Sequence, residues 1–173
     1  MPLFLITGMP GVGKSTVRAA LKAKGYEAYD GDEDHLAKWY SIETGVAIKE
    51  EDYERTPEFV QAHSRDISRE TIKSLASKAQ DRPVFLCADP ENEDGLWDLF
   101  SKIFVLVVDE DTRKHRLATR TNNNWGKLPH EVEYSLAFQK KWNANSKRFP
   151  YIRLNSSQPP ETLVDQIVEK AAV

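Results

Sequence analysis

The 173-residue sequence predicts a three-layer α/β/α fold with a mainly parallel five-stranded sheet, built as one domain over residues 1–173. Three observations carry this. Short apolar segments alternate with segments of helical periodicity, as strands joined by crossover helices do. Pro83-Val84-Phe85-Leu86-Cys87-Ala88 and Ile103-Phe104-Val105-Leu106-Val107-Val108 are almost unbroken apolar runs, as strands covered on both faces require. The first apolar segment runs through a glycine-rich turn straight into a helix.

In chain order, Leu3-Phe4-Leu5-Ile6 is the first strand and residues 15–24 the first helix, ended by Gly25. Tyr26-Glu27-Ala28-Tyr29-Asp30 is a short second strand. Residues 32–43 read as helical and 44–55 as irregular and polar. Thr56 then caps a helix with Pro57 in its first turn. Val60, His63, Ile67, Thr71, Leu75 and Ala79 continue it at helical spacing. After the strand at 83–88 come a short helix at 92–100, the strand at 103–108 and a helix at 111–121. A polar loop at 122–128 leads to Pro129, which opens a helix to about residue 147. Residues 151–154 form the last strand and 161–171 the last helix. Ligands of such sheets bind at the carboxyl ends of the strands. That edge holds Thr7-Gly8, Asp30, Asp89, Asp109 and Asn155.

Composition narrows the function. A net charge of −3 disfavours a general nucleic-acid binder. Cys87 is the only cysteine, so no internal disulfide can form. No apolar run reaches membrane-spanning length. No basic segment precedes the first apolar run, which the first strand uses, so no signal peptide is expected. A cytoplasmic protein, monomer or homodimer, without membrane or nucleic-acid polymer partners is expected.

Gly8-Met9-Pro10-Gly11-Val12-Gly13-Lys14-Ser15 matches the phosphate-cradling pattern G-x-x-x-x-G-K-[ST] at every fixed position, and Thr16 follows it into the helix. Backbone N–H groups and the positive end of the helix dipole face one point there, an anion site. Lys14 is the point charge for the β- and γ-phosphates of ATP, and Ser15 offers a hydroxyl to Mg²⁺. Asp30-Gly31-Asp32 follows the second strand. One carboxylate near a γ-phosphate can orient or deprotonate an acceptor hydroxyl, and either Asp32 or Asp30 fits that role. Asp89, ending an apolar strand, is a candidate for the Mg²⁺ shell.

Arg113, Lys114, Arg116, Arg120 and Lys127 form a basic cluster with no acid between Thr112 and His130. Arg116 and Arg120 share a helix face, with Leu117 turned inward. This cluster, over about residues 113–128, reads as a lid that neutralises charge during phosphoryl transfer and excludes water. Trp125 in it reads as a packing residue. Acceptor contacts are expected from about residues 31–80. Lys38, Arg55, Arg65 and Arg69 are the candidate anion contacts there, and Trp39 and Tyr40 the candidate walls.

On Gly8 to Thr16, the Asp30-Gly31-Asp32 pair, Arg116-Leu117-Ala118-Thr119-Arg120 and the turn Ser156-Ser157-Gln158-Pro159-Pro160-Glu161, the chain resembles the small P-loop kinases of the adenylate-, shikimate- and gluconate-kinase kind. The resemblance spans nearly the whole length. It implies Arg116 and Arg120 on phosphate and residues 155–159 near the base. Two departures matter. The G-F-P-R-like segment of adenylate kinases and the glycine triplet of shikimate kinases are absent; Cys87-Ala88-Asp89-Pro90 stands there instead. The expected activity is ATP- and Mg²⁺-dependent phosphoryl transfer to a nucleoside or nucleotide. A kinase for a hydroxylated metabolite or antibiotic and a non-catalytic nucleotide switch are the alternatives. No N-K-x-D or T-K-x-D guanine-reading motif supports the switch.

Overall fold

The computed structural model describes residues 2–79, 82–121, 124–145 and 150–171. Strands β1 (Leu3–Thr7), β2 (Glu27–Asp30), β5 (Val84–Cys87), β6 (Lys102–Val107) and β7 (Ile152–Asn155) form one sheet in the order β2-β5-β1-β6-β7. All its pairings are parallel, with Phe4 beside Phe85 on one side and Lys102 on the other. Helices α1 (Lys14–Ala23) and α6 (Pro160–Ala171) cover one face, and α3 (Arg69–Lys78) covers the other. The expected three-layer fold is the one observed.

β1 is the centre of the sheet and all five of its residues are buried. Its alternation divides the core. Phe4 and Ile6 enter the layer shared with Val17, Leu21 and Ile167, while Leu3 and Leu5 enter the layer shared with Ile72 and Leu75. Phe4 stacks on Phe85 at 5.3 Å between ring centroids. Each fully buried Phe contributes roughly 1.5–3 kcal/mol of apolar burial. The strand that carries the glycine turn is thus wholly enclosed, so the turn starts from a fixed point.

Two helical expectations between β2 and α3 fail. Residues 32–43 are not a helix. A tight turn closes where Leu36 and Ala37 donate to the Gly31 carbonyl at 3.0 and 2.8 Å, and His35 takes a left-handed φ of 54°. The chain then extends as β3 (Lys38–Ser41) and pairs antiparallel with β4 (His63–Asp66). The helix begun at Thr56 is real but short. Thr56 accepts from Phe59 N in α2 (Pro57–Ala62), and β4 follows at once. Helical spacing resumes only because Ser68 caps α3 anew, accepting from Thr71 N at 3.1 Å. Pairing with β3 overrode local propensity over residues 63–66.

Residues 92–100 form two short 3₁₀ turns, Glu93–Gly95 and Trp97–Leu99, rather than one α-helix. Helices α4 (Glu110–Thr119) and α5 (Pro129–Asn145) lie close to the expected spans. The expected end of α5 near 147, and Asn122 and Asn123 of the polar loop, fall outside the described residues. Among the described residues, no helix is long and apolar enough to cross a membrane.

Candidate active site

The glycine turn is built by sterics. Gly8, Gly11 and Gly13 have φ of 144°, 88° and 106°. A Cβ on Gly8 would lie 2.7 Å from the Leu106 carbonyl oxygen, a backbone atom of the neighbouring strand. Gly8→Ala is therefore expected to destabilise the fold by about 1–3 kcal/mol, read from urea denaturation. An unchanged midpoint would mean that the turn is looser than its geometry indicates. Gly13 precedes α1 with no side-chain cap, so the first-turn N–H groups of α1 face the cavity without a side-chain acceptor. Lys14 Nζ donates to Gly8 O at 2.5 Å and Met9 O at 3.4 Å, and it pairs with Asp89 Oδ2 at 3.2 Å. Burial pushes the Asp89 carboxyl above the usual range, and Lys14 opposes that shift.

The carboxylate that meets Ser15 is Asp30. Ser15 Oγ donates to its Oδ2 at 3.3 Å. Its Oδ1 accepts from the backbone N of Asp32 at 2.9 Å and of Glu33 at 3.1 Å, so one buried side chain both closes the turn and faces the P-loop hydroxyl. Arg18 of α1 anchors the same turn from behind, through Glu33 at 2.5 Å and both oxygens of Asp34. Among the described residues, no three His, Cys, Asp or Glu side chains form a metal cage. Ser15, Asp30 and Asp89 offer hard oxygen donors of the kind Mg²⁺ takes.

The α4 arginines differ in their bonding. Arg116 donates to Val12 O at 3.2 Å and Ser156 O at 3.0 Å, tying the glycine turn to the segment after β7. Arg120 donates to the Trp125 carbonyl, and its buried Nε has no partner. Burial pulls its guanidinium below the usual value, against the opposing pull of Asp89, Asp32 and Glu131. Leu117 is buried, as its helix face requires.

Asp32 lies on the cavity wall with its side chain 55% exposed, and it accepts from Arg65 Nη2 at 2.8 Å. Arg65 in turn lies against the rings of Trp39 and Tyr53, at 5.8 and 5.6 Å. Arg55 reaches the cavity but is committed to Glu131 and to Asn124 O. The structure does not bring Lys38 or Arg69 to the cavity. Lys38 is exposed on β3, and Arg69 grips Asp98 with both Nη atoms at 2.8 and 2.6 Å.

These groups line a cavity of about 620 Å³. Pro10, Gly11, Gly13, Lys14, Ser15 and Thr16 form one end. The other end carries Trp39, Tyr53, Trp125 and Tyr134. Trp125 packs on Trp39 at 5.9 Å and on Tyr134 at 5.7 Å, so the residue expected to pack does so, at the aromatic end of the cavity.

Sequence reading missed Glu91 and Glu131. Glu131 is fully buried and accepts from the backbone N of Gly126, Lys127 and Leu128 at 2.8, 3.2 and 3.2 Å. Glu131 stands at the third helical position and reaches back to the Leu128 N–H as the acidic half of a capping box does, but Leu128 in place of Ser or Thr leaves the sequence without that signature. Glu91 accepts from the Arg65 backbone N at 2.6 Å and from the Tyr134 hydroxyl, and nothing local in the sequence signals this.

The family model described as an AAA domain matches residues 5–135. Among solved structures, a sugar kinase from Janibacter sp. HTCC2649 is 19% identical with a TM-score of 0.59, covering 98% of this chain and 93% of that one. A shikimate kinase from Acinetobacter baumannii, in complex with shikimate, is 14% identical with a TM-score of 0.61, covering 98% and 92%. A deoxyadenosine kinase from M. mycoides with bound dATP is 16% identical with a TM-score of 0.54, covering 99% and 100%. The fold of this chain is the fold these small kinases share. No curated protein matches the sequence.

Proposed function

The chain belongs to the AAA-domain family, and we propose that it is an ATP- and Mg²⁺-dependent kinase that phosphorylates a hydroxyl of a small molecule, a nucleoside or nucleotide. One observation carries the reading. A complete phosphate-binding turn opens into a cavity whose opposite end holds an accessible carboxylate and a set of aromatic rings. A switch or binding module has no need of that second, equipped end.

The residues divide the work by position. Lys14 and the N–H groups from the glycine turn into α1 hold the nucleotide phosphates. Ser15 and Asp30, with Asp89 beside Lys14, would hold Mg²⁺. Mg²⁺ held there would supply charge neutralisation at the transferred phosphate. Arg120, with an unpartnered Nε, meets charge developing on the transferred group. Arg116 fixes the glycine turn against the segment after β7. Asp32 takes the role of orienting the acceptor hydroxyl and accepting its proton, held in place by Arg65. Asp30 is less suited to it, because its two oxygens serve Ser15 and the turn amides.

Asp32→Asn tests this division. It keeps the shape and the Arg65 hydrogen bond but removes the basic oxygen. Phosphoryl transfer is expected to fall on the order of 10²–10⁴-fold with ATP affinity little changed, measured with γ-labelled ATP and by titration calorimetry. Unchanged turnover would remove Asp32 from the acceptor role and leave the nucleotide half intact. ATP binding without transfer to any acceptor would favour a binding module.

A further inference from the structure

Resting on the kinase reading, we infer that Arg55 is a positioning residue for Arg120 rather than a contact for the acceptor: from the segment before α2 it fixes the peptide group that holds the Arg120 guanidinium. Arg55 lines the cavity with Tyr53, where an acceptor contact would stand. Its hydrogen bonds lead elsewhere. Nε donates to Glu131 Oε1 at 2.7 Å, and Nη2 lies 2.6 Å from the same oxygen. Nη2 also donates to Asn124 O at 2.8 Å. The Arg55 carbonyl accepts from His130 Nε2 at 2.8 Å. Side chain and backbone are both tied to the stretch 124–131.

The tie reaches Arg120 through one peptide group. Arg120 Nη2 donates to the Trp125 carbonyl. The N–H of that same peptide belongs to Gly126 and donates to Glu131 Oε2 at 2.8 Å. A trans peptide is planar, with its C=O and N–H pointing opposite ways. Holding the N–H on Glu131 therefore sets the direction of the carbonyl that Arg120 grips. Glu131 is fully buried, and its other oxygen is the one Arg55 holds. On the preceding side of Trp125, Arg55 holds the Asn124 carbonyl directly. Trp125 is thus bracketed by two links that both end at Arg55. Lys127 Nζ returns from the same stretch to the Arg120 carbonyl at 2.9 Å.

Arg120 depends on this bracket. It caps the end of α4 with an extended ψ of 145°, so the helix no longer directs it. Its buried Nε has no partner, which leaves the Trp125 carbonyl to orient the guanidinium. A donor for charge developing on a phosphoryl group acts best when it is in place beforehand. A displacement of about 1 Å can cost on the order of 10²-fold in rate. Arginine suits position 55 because one planar fork serves a carboxylate and a carbonyl together; the compact ammonium of lysine does not reproduce that fork.

The test needs no acceptor. ADP, Mg²⁺ and aluminium fluoride imitate the phosphoryl group in transit, and calorimetry on the full chain compares their binding with that of ADP and Mg²⁺ alone. Fluoroaluminate is expected to tighten ADP on the wild-type protein. Arg120→Ala and Arg55→Ala should each lose about tenfold or more of that gain, with affinity for ADP alone within about twofold. The double variant should lose no more than Arg120→Ala does, as two residues acting in one unit require. Arg55→Lys should keep part of the gain, and it carries the test if Arg55→Ala fails to bind ADP. An undiminished gain in either Arg55 variant, or losses that add in the double variant, would overturn the positioning role and leave the kinase reading standing. ADP binding to the wild type with no gain from fluoroaluminate would overturn both.

Discussion

Lys14→Ala is expected to fold, and to lose phosphoryl transfer on the order of 10²–10³-fold, the usual consequence of removing one fixed donor from developing phosphate charge. Its second effect is on stability. Burial raises the Asp89 carboxyl above its ordinary range, and Lys14 holds that rise in check from 3.2 Å. The folded state thus keeps the Asp89 proton to a higher pH than the unfolded chain does. Its contribution to stability is greatest at low pH and falls as pH climbs from the ordinary Asp value, about 3.9, through the raised one. Without Lys14 the upper end of that window moves further up, and the loss at neutral pH deepens. Lys14→Ala should accordingly be less stable than wild type at pH 7, with the gap narrowing near pH 4, in urea titrations at both values.

The double variant Lys14→Ala/Asp89→Asn separates the two effects. Removing the stranded carboxylate should recover stability at pH 7 and flatten its pH dependence, while phosphoryl transfer stays lost. A double variant that transfers phosphate near the wild-type rate would show that Lys14 serves only to neutralise Asp89.

Why this half of the site was legible, and the other half only partly so, follows from how each is built. The glycine turn joins β1 to α1 without a break, so its residues are neighbours in sequence and in space, and sterics dictate the glycines. Asp30, Asp32 and Asp89 were legible as strand-end residues, because the ends of parallel strands share one edge. The aromatic end of the cavity is different. Its wall depends on β3 pairing with β4, and residues 32–43 carry no local sign that the Gly31 carbonyl closes a turn there. Arg65 and Asp32 are 33 positions apart, and Arg55 and Glu131 are 76 apart. Sequence reading identified Arg55 and Arg65 as available cations; only the fold reveals that each already has a buried or wall-held partner. Arg69 was misjudged for the same reason, its partner Asp98 lying in a 3₁₀ turn expected to be part of a helix.

Glu131→Ala should produce a large loss of stability, about 3–5 kcal/mol in urea denaturation. Glu131 is wholly enclosed, and one of its oxygens collects three backbone N–H groups from residues 126–128 while the other takes Arg55. Alanine leaves those amides without their acceptor, each at roughly 1–3 kcal/mol if water cannot replace it. Arg55, 46% exposed, can turn to solvent, so its own cost is small. Arg55→Ala is the contrasting case. It removes the counter-charge but leaves the carboxylate held by three amides, so its loss should be smaller than that of Glu131→Ala. The reverse order would mean that the ion pair, rather than the amide nest, fixes the segment at 126–128. That segment follows directly on Trp125, whose carbonyl anchors Arg120, so Glu131→Ala has a functional consequence as well. At temperatures where the variant remains folded, its acceptor KM should rise more than its ATP KM, because the nest supports the aromatic wall and not the glycine turn. Equal rises in both constants would place the nest's support on the whole cavity instead.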